Sequence, residues 1–504
     1  MVDFLIRNLP VYLVFLTMAA FAWIFGGSQA APLKPVMPWL LALLFEGFLF
    51  FPQRRPYEDA VAARRRCWWH VRRDPVFYLA LVFLFVLLVP LVNSGLCAFC
   101  DRAAIQAGAD AAPPLAFLPF CVNVSEHYGV IQWFVPALTA TLAVRHALSR
   151  HGKRMLLEML VWNSAALAVF GFIQQTTGAT SPFWGDEKFS TFFSTFGYPN
   201  MGGSFFTMMF AFSVGLWQYR VVAVADRPPP DATAGRDRVL VRWISVHYPL
   251  VAVVLNFFAA LATLSRAAIL MASILAVVAF VYYEVWLLFS RHDRVRRVKR
   301  AAFAFGGALA FLLAVYVFAP SDLGTEVHSL DSLAVLDRVS GKSQYHTRVA
   351  FEIFKDHPAF GVGGWGYRHF AQSYMTEDEL KQIQIDGGAN VHNDYLQFLC
   401  EHGAVGFICL VAIFVCLLVP LVRAWFKLNR AASFMTADKA PPKPCVIYCF
   451  PAGAFWILLG NTALIVHAFG DCPMRSAAVL STFFVSLACA EGFLPREIEE
   501  GKKK

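Results

Sequence analysis

The sequence predicts an all-α membrane protein whose helices cross the bilayer many times. Hydrophobic residues make up 58% of the 504 residues and charged residues only 15%, and the mean hydropathy is +0.54. A soluble core of this length cannot bury so much apolar surface. The 43 Lys and Arg outnumber the 34 Asp and Glu. Because the basic residues cluster between apolar runs, they indicate membrane topology rather than nucleic-acid binding.

Apolar runs of spanning length recur along the chain. A helix needs about 20 apolar residues to cross the hydrocarbon core of a bilayer, and about twelve such runs are bounded by charge, Pro or Gly. The stretch from Tyr248 to Leu288 is too long for one span, so we divide it at Ser265 and Arg266. The predicted spans are 9 to 26, 36 to 52, 76 to 93, 130 to 148, 155 to 175, 202 to 224, 248 to 264, 267 to 289, 301 to 319, 404 to 422, 446 to 468 and 476 to 494.

Lysine and arginine accumulate in alternate loops. Under the positive-inside rule these loops face the cytoplasm, which places both termini there. The first apolar run lacks a clear cleavage site and leads into further spans, so we expect it to remain as a span. The basic clusters lie in residues 54–73, 150–154, 227–242, 291–300, 423–430 and 502–504.

The segment 321–403 is too long for a simple connection and lies outside the cytoplasm in this topology. It carries six Lys and Arg against twelve Asp and Glu, so it is acidic. Long ordered loops often carry function. We therefore divide the chain into helices 1–9 in 1–320, an external catalytic loop in 321–403, and helices 10–12 with a cytoplasmic tail in 404–504.

The external segment contains a predicted helix and a predicted turn. From Tyr345 to His357, Arg348 and Glu352 have the i,i+4 spacing of an ion pair on a helix, which Pro358 ends. Residues Gly361–Gly366 have the letters G-x-G-x-x-G. No strand precedes them and no helix with an acidic partner follows, so the pattern predicts a tight turn rather than dinucleotide binding.

Three cysteines lie in the external segment between the third and fourth spans. Cys97, Cys100 and Cys121 could form a structural disulfide in an oxidising compartment, remain free thiols, or take part in redox chemistry. The pairing stays open from the sequence. The sequence contains neither a paired Cys and His arrangement nor an H-E-x-x-H motif. We therefore expect that the protein binds neither a metal nor another cofactor.

A motif at the end of the external segment carries a family resemblance. His392-Asn393, nine residues, Gly403, two residues and Gly406 resemble the signature of the O-antigen ligase and polymerase superfamily, which includes bacterial protein O-oligosaccharyltransferases. The number of spans, the large loop before the tenth span and the run from Arg348 to Gly366 also resemble this family. Further similar features are Arg266 in a short turn, Tyr198-Pro199-Asn200, His467, Asp471 and Pro473.

The resemblance implies a membrane glycosyltransferase with a GT-C-like architecture. Its donor would be a glycan on undecaprenyl diphosphate, and transfer would occur at the periplasmic face of the bacterial inner membrane. The implied acceptor is lipid A-core, which receives O-antigen in a ligase. A polymerase acting on another lipid-linked repeat and a protein O-oligosaccharyltransferase share the signature. Outside the enzyme class, about twelve helices also suit a transporter or flippase.

The resemblance assigns the central chemistry to His392. An imidazole, whose ordinary pKa is about 6.5, can take a proton from an attacking hydroxyl at neutral pH. The alternative is that His392 binds donor phosphate or orients the acceptor. Asn393, Tyr395 and Asn200 are secondary candidates. Because a diphosphate is already a good leaving group, the reaction needs no covalent enzyme intermediate. A single displacement would then invert the anomeric centre.

Two arginines are candidates for the donor diphosphate. At mid-membrane depth the charge of Arg266 would cost about 2.5 to 3.5 kcal/mol, which a position in a loop avoids. Without the resemblance, Arg266 could equally be an interfacial arginine that reaches lipid headgroups, and Arg348 a solvated charge paired with Glu352. With the resemblance, both guanidinium groups are expected to bind phosphate oxygens through two parallel hydrogen bonds.

Overall fold

A computed structural model describes most of the chain. Most of the described residues are helical, and the described residues form no β-strand. They comprise residues 2–28, 34–55, 57–94, 115, 117–185, 189, 191–225, 236–289, 298, 306–307, 334–386, 390–435 and 450–495. The helices are α1 Val2–Trp23, α2 Met37–Leu49, α3 Ala60–Val71, α4 Pro75–Leu88, α5 Val124–Ala147, α6 Arg150–Thr176, α7 Pro199–Ala225, α8 Arg236–His247, α9 Pro249–Ala262, α10 Arg266–Phe289, α11 Ala334–Asp356, α12 Tyr367–Phe370, α13 Glu377–Asp386, α14 Asp394–Met435, α15 Ala452–His467 and α16 Ala477–Ala490.

The helices follow the predicted apolar runs. Every predicted span except the ninth contains a helix, and the ninth, 301–319, lies outside the described residues apart from 306–307. Five described helices are long and apolar enough to cross a membrane, or six when α3 and Pro75–Leu91, bent by 69°, count as one span. The chain is thus a multi-pass membrane protein, while twelve spans and a GT-C-like architecture stay predictions.

Two local predictions about helix ends are confirmed. The long apolar stretch breaks between Ala262 and Arg266, where α9 ends and α10 begins. Leu264 in this break has φ of +56°, the left-handed conformation that interrupts a right-handed helix. In the external segment α11 ends at Asp356, before Pro358. A proline restricts the residue before it and cannot donate to the helix ladder.

The chain forms two compact units. The first comprises Met1–Ser149, His328–Leu417 and Ile465–Val485, and the second comprises Arg150–Val327, Leu418–Leu464 and Ser486–Lys504. The three-part division expected from the sequence stays a prediction.

The first unit contains an apolar core built mainly from residues of segment 321–403. Val349 and Ile353 of α11 are fully buried against Val362, Tyr367 and the beginning of α14. Burying such side chains stabilises by about 1.5 to 3 kcal/mol each. This core also includes Phe120 and Val391, so it holds the residue that precedes His392 in place.

In the second unit, α7 packs closely against α9 and the turn that precedes α10. A Cβ atom at Gly203 would lie 2.5 Å from the Cβ of Ala268 and 3.0 Å from that of Ser265, so only glycine permits this approach. Within the same unit the Asn256 side chain donates to the Ser213 hydroxyl at 3.1 Å. These contacts fix the position of the turn that carries Arg266.

Candidate functional site

The glycine motif of the external segment forms the predicted tight turn. Gly361 and Gly363 have φ of +69° and +81°, which L side chains rarely adopt. A Cβ atom at Gly361 would lie 2.4 Å from the carbonyl oxygen of Cys400. The N–H groups of Val362 and Gly363 donate to the carbonyls of Cys400 and Glu401 at 3.1 and 2.8 Å. The turn thus holds the first turns of α14.

A buried histidine anchors the other side of this turn. The Gly364 N–H donates to Nδ1 of His127 at 2.8 Å, and His127 Nε2 lies 2.7 Å from the carbonyl oxygen of Leu87. Because Nδ1 accepts a hydrogen bond, it carries no hydrogen of its own; the ring hydrogen is therefore on Nε2 and this histidine is neutral. His127 fixes the loop before Trp365 and takes no part in the exposed site.

The residue after His392 caps α14. The Asn393 side-chain oxygen accepts the N–H groups of Tyr395 and Leu396, both at 3.1 Å. These bonds satisfy two of the donors that every helix leaves open at its N-terminus. His392 itself has φ of +54°, an uncommon conformation for a residue other than glycine. Asn393, predicted as a secondary site residue, therefore caps α14 and fixes the backbone next to His392.

His392 faces an aspartate from the loop between α15 and α16. His392 Nδ1 lies 3.4 Å from Asp471 Oδ1, and its side chain is 49% exposed whereas that of Asp471 is 12% exposed. The Asp471 carboxylate also accepts the Cys472 N–H at 2.7 Å. The ring of buried His346 lies 6.4 Å from that of His392. A carboxylate at Nδ1 favours the tautomer whose Nε2 can accept a proton.

A buried charge cluster lies behind this histidine. The Arg475 guanidinium donates to Glu401 at 2.9 Å, and its Nε lies 3.8 Å from Asp394. It also stacks over the Trp365 ring at 4.3 Å. Asp394 accepts the Met474 N–H at 2.8 Å, which joins α14 to the loop that carries Asp471. Removing one charge from such a buried cluster costs about 3 to 5 kcal/mol.

Arg475 and Glu401 were absent from the sequence-based site. The signal that could have found Arg475 is its position in the short loop between two apolar runs, two residues after Pro473. Glu401 lies between the His-Asn pair and Gly403, within the motif. Buried ionised groups are rare unless they are paired, so their partners become visible only in the folded chain.

Arg348 lies on α11 and engages two carboxylates. It donates to Glu352 at 2.7 Å, as the i,i+4 spacing predicted, and to both oxygens of Glu379 at 2.9 and 2.7 Å. The hydrogen bond with Glu379 raises the pKa of Arg348 most, and the hydrogen bond with Glu352 raises it further. Desolvation raises the pKa of Glu379, but the hydrogen bonds from Thr376 and Arg348 outweigh it and leave that pKa lowered. A diphosphate would have to replace Glu379 at this guanidinium.

Arg266 and Asn200 belong to the second unit. Arg266 is the first residue of α10 and is partly buried. The hydroxyl of Ser265, its neighbour, donates to the Asn200 side-chain oxygen, and Asn200 donates to the Tyr198 hydroxyl at 3.3 Å. Asn200 thus holds the turn before Arg266, as a positioning residue would.

The last secondary candidate, Tyr395, lies in the first unit beside the loop after α15. Its hydroxyl donates to the carbonyl of Ile465 at 2.8 Å, and its ring lies 4.5 Å from that of Phe469. The structure therefore brings Tyr395, Asn393 and His392 together with Asp471. Tyr395 positions the start of α14 rather than presenting a reactive hydroxyl.

The cysteine and metal predictions are only partly covered. Cys97 and Cys100 lie outside the described residues, and Cys121 is a free thiol that donates to the carbonyl of Pro90 at 3.3 Å. Within the described ranges no group of three His, Cys, Asp or Glu side chains has the arrangement of a metal site.

The helices and the polar groups around His392 define a multi-pass membrane protein with a partly exposed histidine above a buried charge cluster. Residues 251–411 match the family model described as O-Antigen ligase, and this match confirms the resemblance that the motifs predicted. The matched segment includes Arg266, Arg348 and His392. No curated protein matches the chain.

Proposed function

We propose that this protein is an O-antigen ligase, a glycosyltransferase that moves O-antigen from undecaprenyl diphosphate to a hydroxyl of lipid A-core at the periplasmic face of the inner membrane. One observation carries the proposal: the O-antigen ligase match at 251–411 includes all three residues with assigned chemistry, Arg266, Arg348 and His392. A membrane frame, a partly exposed imidazole and basic groups are what transfer from a lipid diphosphate requires.

His392 acts as the general base in this proposal. Asp471 accepts the hydrogen of Nδ1 and so leaves the lone pair of Nε2 for the acceptor hydroxyl. As the hydroxyl oxygen attacks the anomeric carbon, its proton passes to Nε2 and the bond from that carbon to the diphosphate oxygen breaks. The electron pair leaves with undecaprenyl diphosphate. A positioned general base contributes about 10² to 10⁴ in rate.

Arg266 and Arg348 bind the donor diphosphate. Their positive charges stabilise the negative charge that grows on the leaving group as the glycosidic bond breaks. Arg348 exchanges its carboxylate partner Glu379 for phosphate oxygens when the donor arrives. Because the two guanidinium groups supply the required charge, the reaction proceeds without a divalent metal, and activity is expected to survive EDTA.

A single displacement inverts the configuration of the anomeric carbon, since the acceptor attacks from the side opposite the leaving diphosphate. The NMR coupling of the new linkage, compared with that of the donor glycan, reports the outcome. A retained configuration would contradict single displacement and would require a covalent intermediate on the enzyme.

The test is a gene deletion complemented by variants in the source bacterium. Glycan on lipid A-core and glycan on undecaprenyl diphosphate are compared on one gel. A ligase leaves lipid A-core bare while long chains persist on the carrier. His392→Ala is expected to reproduce the deletion at normal protein level. The control is the exposed histidine variant His151→Ala, which should retain transfer.

Other outcomes identify the competing functions. Single repeats on lipid A-core with no long carrier-bound chains indicate a polymerase, and unchanged lipid A-core and carrier pools with loss of protein glycosylation indicate a protein O-oligosaccharyltransferase. Lipid movement across the membrane that survives His392→Ala would favour a transporter or flippase. Transfer by His392→Ala at the wild-type rate would remove the catalytic role of this histidine.

A further inference from the structure

An apolar cavity lies in the first unit between α5, α14 and α16. Its volume is about 190 Å³. An engineered apolar cavity of about 150 Å³ stays dry and binds benzene, so this one has room for a short branched hydrocarbon. Its apolar wall includes Val130 and Phe134 of α5, Leu410, Val411 and Phe414 of α14, and Phe484 of α16.

The cavity reaches the apolar surface of α14. Val411 lines the cavity and is also 45% exposed. It lies in Asp394–Leu428, which is long and apolar enough to cross a membrane. Exposed apolar side chains on a spanning helix face lipid. A hydrocarbon chain can therefore pass from the bilayer into the cavity without crossing water.

One wall of the cavity is polar and carries an unsatisfied donor. Arg475 lines the cavity with a side chain only 8% exposed, and its Nη2 donates to Glu401. Its Nη1 is buried and has no hydrogen-bond partner. Leaving a buried donor without an acceptor costs about 1 to 3 kcal/mol, and more for a charged group. An oxygen atom of a ligand at this end of the cavity would remove that cost.

The polar wall is continuous with the site of His392. Asp394 and Tyr395 line the cavity and follow His392 by two and three residues. The Asp394 N–H donates to the carbonyl of Asp471, the residue that faces His392, at 3.3 Å. A molecule whose polar end meets this wall would therefore lie next to the residues that position His392, with its apolar end toward the bilayer.

We propose that this cavity holds the first isoprene unit of the donor's polyprenyl carrier and that Arg475 Nη1 donates to an oxygen of the adjoining phosphate. The proposal rests on the function proposed above. In a prenyl phosphate the hydrocarbon begins one bond from the phosphate oxygen. This short distance matches the cavity, where the hydrogen-bond donor Arg475 lies directly in the wall that surrounds the apolar space. In a diacyl phospholipid, glycerol separates the phosphate from the acyl chains. Arg475 becomes a third donor-binding arginine, outside the matched family segment.

Photolabelling of the full-length protein tests the cavity. The protein is reconstituted in nanodiscs of zwitterionic lipid, and the probe is a C15 prenyl phosphate with a diazirine on its first isoprene unit. Labels are expected in residues 130–134 and 398–414. Leu410→Trp fills the cavity and should lower labelling about tenfold or more. The control is Ile408→Trp, on the same helix but 63% exposed and outside the cavity wall, which should label normally.

The role of Arg475 in phosphate binding is tested by substituting Arg475 together with its buried partner Glu401. Arg475→Gln alone leaves Glu401 unpaired, so the double variant Arg475→Gln with Glu401→Gln replaces both charges by amides that can pair, and Asp394 retains its hydrogen bond from the Met474 N–H. Labelling by the prenyl phosphate is expected to fall roughly tenfold. Labelling by the matching prenyl alcohol should stay unchanged, because it lacks the phosphate oxygen.

Three results would overturn the proposal. They are labels outside the cavity, equal labelling of wild type and Leu410→Trp, or equally efficient labelling by a diazirine phospholipid. These experiments do not depend on glycan transfer. Cavity labelling without transfer in any glycan assay would refute the proposed function alone, whereas transfer that is normal in Leu410→Trp would refute the cavity proposal alone.

Discussion

Gly403 is a residue at which a single added methyl group should have a large effect. It lies inside α14 with φ of +62° and ψ of −174°, a combination essentially confined to glycine. The break directs two N–H groups out of the helix: Ala404 donates to Pro358 at 2.8 Å, and Val405 donates to Ala359 at 3.1 Å. Gly403 therefore connects α14 to the segment between α11 and the glycine turn.

The cost of Gly403→Ala follows from two contributions. The unfavourable backbone conformation costs about 1 to 3 kcal/mol. The new Cβ would lie 2.3 Å from the carbonyl oxygen of Ala359 and 2.4 Å from the Phe360 nitrogen, so the backbone must move. If both hydrogen bonds to residues 358 and 359 are lost, a further ~1 to 3 kcal/mol is expected. The total is roughly 2 to 6 kcal/mol, a large part of the stability of a typical domain.

Gly178→Ala is the matched control. Gly178 has φ of +65°, but no atom lies within 4 Å of the position that a Cβ would take. Only the backbone conformation is penalised there, by about 1 to 2 kcal/mol. The difference between the two variants therefore reports the steric clash and the lost hydrogen bonds at Gly403, together with its more restricted backbone conformation.

Thermal unfolding of the detergent-purified protein checks this expectation, with tryptophan emission as the signal and one heating rate for all variants. Gly403→Ala should melt well below Gly178→Ala, and Gly178→Ala slightly below wild type. Glycan transfer should fall in Gly403→Ala at temperatures where Gly178→Ala is active. Equal melting temperatures for the two variants would refute the assigned role of the break in α14.

Three further substitutions, which give four predictions, concern the charges of the site. Arg266→Lys keeps the charge but loses the two parallel hydrogen bonds to phosphate, so transfer in membrane vesicles should fall about tenfold or more; an unchanged rate at equal protein level would count against diphosphate binding. Asp471→Asn should lower kcat about tenfold or more and leave the donor KM nearly constant, because the substitution removes the carboxylate that orients His392. A change in the donor KM alone would indicate that Asp471 has a binding role instead. Glu379→Gln should lower the donor KM, because Arg348 is released from its strongest competitor, and a raised KM would contradict the exchange. Since the folded pKa of Glu379 is lowered, its ion pair stabilises the protein above the ordinary carboxyl pKa of 4.5 and this stability is lost as pH falls through the lower folded pKa; the melting temperatures of wild type and Glu379→Gln should therefore converge on acidification.

The helices and turns were predictable because their causes are local. Runs of about 20 apolar residues specify spanning helices, and the expected helix break at Ser265-Arg266 follows from a single charge within a long apolar stretch. Pro358 ends α11 because proline restricts its neighbour and lacks an N–H. Gly361 and Gly363 permit positive φ whatever lies around them, so their spacing predicts the turn.

The pairing of charges was decided by the tertiary structure. Arg348 was correctly paired with Glu352 one helical turn away, but its bidentate partner Glu379 is 31 residues distant. Arg475 and Glu401 are 74 residues apart and meet inside the protein. Local periodicity carries no information on such contacts, since they depend on how separate helices pack.

The sequence by itself determined the class of protein and the family signature that contains His392, because composition, spacing and motif are properties of the chain. Only the tertiary structure decided that Asn393 caps a helix, that Asp471 faces His392 and that Arg475 lines an apolar cavity. A side chain acquires these roles from the groups that packing brings to it. Burial strengthens the interaction of those charges, and it leaves one arginine donor in need of an acceptor.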